Sequence, residues 1–387
     1  MSTVAILALI ILSLSDPMTT IRVATFNVSM EATNYRRGRN ATLNPQALTE
    51  RLRRGNHPQI RNIAEIIQRN RPDVLLLNEF DFIEDESHGV SAFIRNYLQQ
   101  SQTGAQPIDY PYYYVAPVNS GEPSPYDIDG DGKATGTGGD AFGFGFYPGH
   151  YGMALLSRFP IEIEQIRTFR HLLWHTMPNH QTITNADGTP FYADDTFTGL
   201  RLSSKSHWDV PIVVGGKRIH LLAAHPTPPV FDGKERRNSA RNYDEIKLWA
   251  DYLQPSHSQY IVDDTGTYGG IADNEPFVVV GDYNASADEG NSLVGAIEQL
   301  LHHPKINATY TPTSNGGKQH TPTLPHAKTH TAAWRARVDY VLPSILGFEI
   351  KGGGVFWPTK SDPLHRLVQS RQASSDHRLV WIDLALC

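Results

Sequence analysis

What most constrains this chain is a recurring pattern in which a short aliphatic or β-branched run ends on a polar side chain able to do chemistry. Residues 21–28, IRVATFNV, alternate and are rich in β-branched residues, the signature of a strand, and Asn27 sits near its close. Ile60, Ile63, Ala64, Ile66 and Ile67 form one stripe of a helix over 58–71. Pro72 stops that helix, and Asp73-Val74-Leu75-Leu76-Leu77 follows as a buried strand that exits on Asn78-Glu79. A helix feeding a buried strand with a carboxylate at its exit predicts a layered α/β protein. The arrangement returns in the second half. A helix over 235–254, with Ile246, Trp249, Ala250 and Leu253 on its apolar face, precedes a strand over 277–280 that exits on Gly281-Asp282-Tyr283-Asn284.

The remaining elements are shorter. A second helix is expected over 89–100, a strand over 153–156, a hairpin of 212–214 and 218–224 about Gly215-Gly216-Lys217, and final strands over 338–342 and 379–384. Residues 161–200 read as strand and loop, and 305–335 as loop. Residues 119–152, dense in Gly and Asp and poor in aliphatics, read as a long loop insertion. No fixed-period repeat is visible, although a weak duplication of two sheet halves would escape inspection. With 387 residues the chain could hold several domains, but layered folds reach this size as one unit, so a single catalytic domain over 20–387 is expected.

Composition narrows the function. The formal net charge of −6 argues against a broad basic face for long DNA. A bound divalent cation can reverse the field locally, so a nuclease stays open, but small or exposed phosphate esters are favoured. Cys387 is the one cysteine, which excludes an intrachain disulfide and a cysteine zinc site. Residues 4–12, VAILALIIL, are too short to span a bilayer, and Ser13 and Ser15 follow at signal-peptidase spacing. A cleaved signal peptide over 1–15 is therefore expected, with secretion or a periplasmic location, although no Lys or Arg precedes the apolar run. The alternative is an irregular start followed by a buried segment. The protein is expected to work as a monomer with no stable membrane span.

Six places put a competent residue at or just beyond the end of an apolar strand: Asn27, Glu79, His225, Asp282 with Asn284, Asp339, and Asp376 with His377. Singly these are ordinary turn residues. In order, Thr25-Phe26-Asn27, Leu77-Asn78-Glu79, Ala224-His225, Gly281-Asp282-Tyr283-Asn284, Arg337-Val338-Asp339-Tyr340-Val341 and Ser375-Asp376-His377 resemble the signatures of the endonuclease/exonuclease/phosphatase superfamily. Residues 152–160, GMALLSRFP, resemble its central strand. The resemblance covers about 21–386 and implies an α/β (α+β) four-layer sandwich: two mainly antiparallel β-sheets packed face to face, with helices outside. It implies hydrolysis of phosphate esters, usually with Mg²⁺. Deoxyribonucleases, abasic-site endonucleases, neutral sphingomyelinases and inositol-polyphosphate 5-phosphatases belong to it.

The chemistry of the residues agrees. Asn27 and Glu79 offer hard oxygen ligands suited to Mg²⁺ or Mn²⁺, and the resemblance assigns them that role. Asp282 would orient or deprotonate the attacking water, and Asn284 would donate to a phosphoryl oxygen. His377 would bind phosphate as a cation, with Asp339 fixing its tautomer. Asp376 would extend the metal shell, and His225 would contact the phosphate or aid the leaving group. Some relatives carry Tyr in that last place, so His225 points to the deoxyribonuclease and sphingomyelinase side.

A second ion is suggested by Asp127-Ile128-Asp129-Gly130-Asp131-Gly132, which matches the first half of an EF-hand calcium loop. Gly138 stands where the closing Glu would be, and Asp140 is two residues beyond. The alternative is a solvated Asp-Gly turn. His207, His320, His326 and His330 could line a substrate cleft or lie on plain surface. Tyr110-Pro111-Tyr112-Tyr113-Tyr114 reads as a packed strand, with a base-stacking platform as the sharper alternative. Two other functions stay open: a secreted endonuclease of the deoxyribonuclease I type, and a catalytically silent, calcium-stabilised surface-binding protein.

Overall fold

A computed structural model describes residues 19–36, 38 and 42–387. The proposed signal segment 1–15 lies outside the described residues. Among the described residues eleven strands form two sheets: β1 (Thr20–Met30), β2 (Val74–Phe80), β3 (Tyr112–Tyr114), β4 (Met153–Ser157), β5 (Arg167–Thr168), β6 (His207–Val214), β7 (Lys217–Ala224), β8 (Phe277–Asp282), β9 (Asp339–Pro343), β10 (Phe348–Val355) and β11 (Val380–Leu386). The first sheet runs β10-β11-β1-β2-β4-β3 and the second β5-β6-β7-β8-β9.

Each sheet contains one parallel pair, β1 with β2 and β7 with β8, and is otherwise antiparallel. A parallel pair needs a crossover, and here it is helical. The helix Pro58–Asn70 joins β1 to β2, and the helix Arg237–Tyr252 joins β7 to β8. The duplication that the sequence concealed is therefore present at the level of topology. The orders β10-β11-β1-β2-β4 and β5-β6-β7-β8-β9 share one succession of antiparallel, antiparallel, parallel and antiparallel pairings.

Side-chain alternation shows how the layers stack. Leu221 and Ala223 of β7, Val278 and Val280 of β8 and Val341 of β9 join the core shared with the first sheet. Their neighbours Leu222, Ala224, Phe277, Val279, Tyr340 and Leu342 join a second core with Ile246, Leu248 and Trp249 of the crossover helix. A strand covered on both faces reads as a continuous apolar run, which is why residues 277–280 carry no polar alternation. The helix Pro58–Asn70 buries Ile60, Ile63, Ala64, Ile66 and Ile67 in the first core. The architecture is the expected sandwich of two sheets with helices outside.

Local differences have local causes. The helix expected over 89–100 is one α-turn, Val90–Phe93, running into a π-turn, Ile94–Leu98. The strand β10 was not anticipated, because Gly352-Gly353-Gly354 breaks its alternation. The short helix Ala47–Arg54 buries only Ala47, Leu48 and Leu52, too few for a periodic signal. The insertion over 119–150 contains no helix or strand element among the described residues and is held by isolated bridges such as Ser120–Gly143 and Pro123–Ala141.

Candidate active site

The topology explains why the sequence scatters its polar residues. Parallel strands finish at one edge, so β1 and β2 deliver Asn27 and Glu79, and β7 and β8 deliver His225 and Asp282. Their antiparallel neighbours run the other way and present their first residues there: Asp339 opens β9 opposite Asp282, and Asp376-His377 lead into β11. Gly281 permits the close approach. Its φ is 152°, and a Cβ there would lie 2.1 Å from the carbonyl oxygen of Ala224.

Asp282 is the hub. Its Oδ2 accepts from Asn27 Nδ2 at 3.0 Å and lies 3.5 Å from Nε2 of both His225 and His377. Its Oδ1 accepts the backbone N–H of Asn284 at 2.9 Å, while the Asn284 amide donates to the Pro226 carbonyl at 3.1 Å. The Asn27 contact spans the two sheets. Asp339 Oδ2 lies 2.9 Å from His377 Nδ1. Burial raises the Asp282 carboxyl, opposed by His377. Burial opposes the charge on His377, but Asp339 and Asp282 outweigh it and raise its pKa, so it is an imidazolium. His225 has the reverse environment: burial, with the cations of Lys205 and His377 nearby, drives it well below the ordinary range, and its Nδ1 has no hydrogen-bond partner. Two histidines thus flank one carboxylate, one charged and one neutral.

Glu79 and Asp376 meet around Arg371. The guanidinium lies 3.1 Å from Asp376 Oδ2, 3.8 Å from Glu79 Oε2 and 3.9 Å from Glu31 Oε1. Glu79 occupies the left-handed region with φ 55°, and its Oε2 is buried without a hydrogen-bond partner among the described residues. Burial raises its carboxyl, and Arg371 is the largest influence the other way. An orphaned carboxylate oxygen beside the Asn27 amide suits a hard cation, so this donor set fits Mg²⁺. Asp376 is engaged by Arg371, and its Oδ1 also takes the Ser29 hydroxyl at 3.4 Å. Ligand atoms of Asp282, Asp339 and His377 also fall within 4.8 Å of one another. Asp339 is committed to the imidazole through both oxygens, so this trio is a carboxylate–imidazole–carboxylate chain.

Sequence reasoning missed the cleft beside this cluster. It has a volume of about 460 Å³ and is lined by Glu79 and His225 at one end, by Ser204, Lys205 and Thr227, and by the insertion. Asn119 N–H donates to the Lys205 carbonyl at 2.8 Å, Ser120 Oγ to the Ser204 carbonyl at 3.1 Å, and Arg241 to the Phe142 carbonyl at 2.6 Å. These bonds make the insertion a wall of the site. Lys205 is only 6% exposed. Burial pushes its ammonium down, against the pull of Glu245, Glu79 and Asp282. The available signal was position: Lys205 stands just before β6, as the other site residues stand at strand ends. Arg371 lies in irregular chain and gave none.

Other candidates fall elsewhere. His207 is a core residue, not a cleft residue: its Nε2 faces the Glu245 carbonyl at 2.9 Å and its Nδ1 the Ser203 hydroxyl at 2.6 Å. His320 faces the Ala333 carbonyl, His326 faces Asp288, and His330 is buried against Glu289. Tyr110 is buried, and Tyr112–Tyr114 form an edge strand. Carboxylate oxygens of Asp127, Asp129 and Asp140 lie within 4.8 Å of one another, and Asp131 is outside that group. All four accept backbone N–H groups of their own loop, among them Gly130, Asp131, Lys133 and Thr135. That satisfies the turn without an ion, so the acidic cluster by itself does not define a calcium site.

Two mixed sheets with outer helices and a rim of strand-end carboxylates, amides and imidazoles define an α/β sandwich with one polar site at its strand ends. The chain belongs to the endonuclease/exonuclease/phosphatase family, whose sequence pattern matches residues 24–377. An endonuclease/exonuclease/phosphatase from Beutenbergia cavernae superposes with a TM-score of 0.51 at 18% identity, covering 95% of this chain and 72% of that one. The human Nocturnin catalytic domain with bound sulfate gives 0.45 at 15% identity, covering 96% and 97%. Staphylococcus aureus beta toxin with bound magnesium ions gives 0.43 at 13% identity, covering 94% and 99%. No curated protein sequence matches the chain.

Proposed function

We propose that this chain is a divalent-metal-dependent hydrolase of small or exposed phosphate esters, working outside the cytoplasm. The observation that carries the reading is the position of Asp282, within 3.5 Å of Asn27, His225 and His377, with Asp339 behind His377. Asn27 and Glu79 would hold Mg²⁺ or Mn²⁺, with Asp376 extending the shell where Arg371 yields it. The cation supplies Lewis-acid neutralisation of the phosphoryl oxygens. The rest of the chemistry falls to the chain's own groups.

His377 donates to a phosphoryl oxygen as a cation, and Asp339 keeps it charged. Asp282, ionised, accepts a proton from the attacking water. The Asn284 amide has a second N–H beyond the one given to Pro226, and this meets the phosphoryl group. His225, neutral, donates to the developing charge from the other side. Lys205 and Arg371 add positive charge where the ester docks. The export part of the proposal rests on the apolar run 4–12, and cell fractionation tests it.

The purified protein is assayed on p-nitrophenyl phosphate, bis-p-nitrophenyl phosphate, RNA and plasmid DNA, with and without EDTA. We expect EDTA-sensitive turnover of the small esters. Activity indifferent to EDTA and to Glu79→Ala would overturn the mechanism. Fast plasmid nicking with little small-ester turnover would establish the nuclease reading instead. A silent binding protein predicts no turnover at all, and the satisfied geometry around Asp282 speaks against it.

A further inference from the structure

We infer that the 460 Å³ cleft between the insertion and the segment after β7 binds the organic group of the substrate, and that this group is a compact ring carrying hydrogen-bonding substituents along one edge. The identity of the head group rests on the phosphoesterase reading, but the cleft argument does not.

Beyond Glu79, whose orphaned oxygen suits the cation, three residues lining this one space carry a buried polar atom without a hydrogen-bond partner among the described residues: Ser204 Oγ, His225 Nδ1 and Thr227 Oγ1. Ser204 is 3% exposed, His225 2% and Thr227 8%. Proteins seldom leave such groups unpaired, because each orphan costs the desolvation of a polar group. Their gathering in one cleft marks where a ligand's own donors and acceptors belong. An acyl chain has nothing to offer them.

Another part of the lining is apolar. Phe144 is 54% exposed and is held edge-on against Phe146 with ring centroids 5.3 Å apart. Phe231 is 91% exposed, with its backbone in the left-handed region at φ 63°. A non-glycine residue held there is a conformation the surroundings must enforce. Exposed rings lining a cleft provide a stacking face for a flat group. The volume falls in the range of small-molecule sites and far short of a polymer groove. Lys205 and Arg371 also line the cleft, so a phosphate docked beside Glu79 and His225 would extend its organic group toward Phe144 and Phe231.

The test uses three phosphonates that the enzyme cannot hydrolyse, phenylphosphonate, 3-hydroxyphenylphosphonate and methylphosphonate, titrated calorimetrically into the full chain with Mg²⁺ present. Phenylphosphonate should bind about tenfold more tightly than methylphosphonate, the discrimination one added apolar group gives in a fitted pocket. Phe144→Ala should weaken phenylphosphonate severalfold and leave methylphosphonate unchanged, and Thr227→Val should weaken 3-hydroxyphenylphosphonate, whose hydroxyl can pair with Thr227 Oγ1, severalfold and leave phenylphosphonate unchanged. Thr227→Val is isosteric, and Phe144 and Phe231 are exposed, so Phe231→Ala serves if either first variant misfolds. Equal affinity for phenylphosphonate and methylphosphonate, failure of both to bind, a Phe144→Ala variant that weakens both equally, or a Thr227→Val variant that leaves 3-hydroxyphenylphosphonate unchanged would overturn the inference. A protein that prefers phenylphosphonate yet turns over no ester would refute the proposed function and keep the cleft. Turnover without that preference would do the reverse.

Discussion

The imidazolium of His377 exists because of Asp339. Burial alone would discharge the ring, and the carboxylate at 2.9 Å reverses that outcome. The backbone N–H of Asp339 is itself tied to Thr331 Oγ1 at 3.1 Å, so the carboxylate is held in place. Asp339→Asn keeps the shape and removes the charge. We expect kcat/KM for p-nitrophenyl phosphate to fall about a hundredfold or more with the fold intact by circular dichroism. A variant within twofold of wild type would remove the pair from the mechanism. Glu79→Gln makes the parallel test on the cation. Manganese affinity measured by calorimetry should drop by at least the ~10–100-fold that losing an outer-shell partner costs. An unchanged affinity would place the ion elsewhere. These residues were legible because each ends or opens an apolar strand and so stands out from its neighbours. Lys205, Ser204 and Thr227 were not, because they acquire meaning only when the insertion folds over them, a contact more than 80 positions away in sequence between Ser120 and Ser204.

At the scale of elements, the crossover pairs carry the argument. A helix between two parallel strands forces both strands to finish at one edge, which converts two runs with polar exits into one site. The stripe of 58–71 was readable because it buries one periodic face, and 218–224 because Gly215-Gly216-Lys217 marks the hairpin that leads into it. Strand β10 was not, because three glycines supply no side chains to alternate. His207, at the start of β6, shows what an element's interior asks of a titratable group. Its Nε2–H meets a helix carbonyl, and burial pushes its pKa from 6.5 down to about 4. Folded, it is neutral across most of the acid range; unfolded, it takes up a proton near 6.5. The unfolded state therefore gains protons first as pH falls. Stability is full above 6.5 and is lost progressively between 6.5 and 4, by about 3 kcal/mol from this group. Urea midpoints of wild type and His207→Gln, measured from pH 7 to 4, should converge as pH falls. His57, also lowered to about 4, and Asp244, raised to about 6, titrate in both proteins and cancel from the comparison. A gap that stays constant across that range would exclude His207 as the group responsible.

For the molecule as a whole, charge decides between small esters and nucleic acid. The net charge is −6, and the site gathers carboxylates from both sheets. Against them the cleft sets Lys205, Arg371, Arg237 and Arg241. Arg237 is paired with Glu235, and Arg241 spends its donors on the carbonyls of Leu202, Phe142 and Arg201. Arg371 is itself held by Asp376, so at most two cations, Lys205 and an Arg371 released from that pair, are left to meet a ligand's phosphates. Each phosphate neutralised by a cation contributes about −0.9 to the slope of log affinity against log salt, and a protein that tracks a duplex makes about 6–10 such contacts. With two cations the slope should be no steeper than about −2. We therefore expect KM for bis-p-nitrophenyl phosphate to change little between 50 and 200 mM salt, and any plasmid cleavage to be slow with a shallow dependence over the same range. A steep dependence, with rapid nicking at low salt, would mean that a basic track lies outside the cleft and would shift the substrate from a small ester to the nucleic-acid backbone. A cation held by Asn27 and Glu79 would not blunt this test, because it would reverse the field at the scissile phosphate alone, and the salt slope counts every phosphate the protein holds.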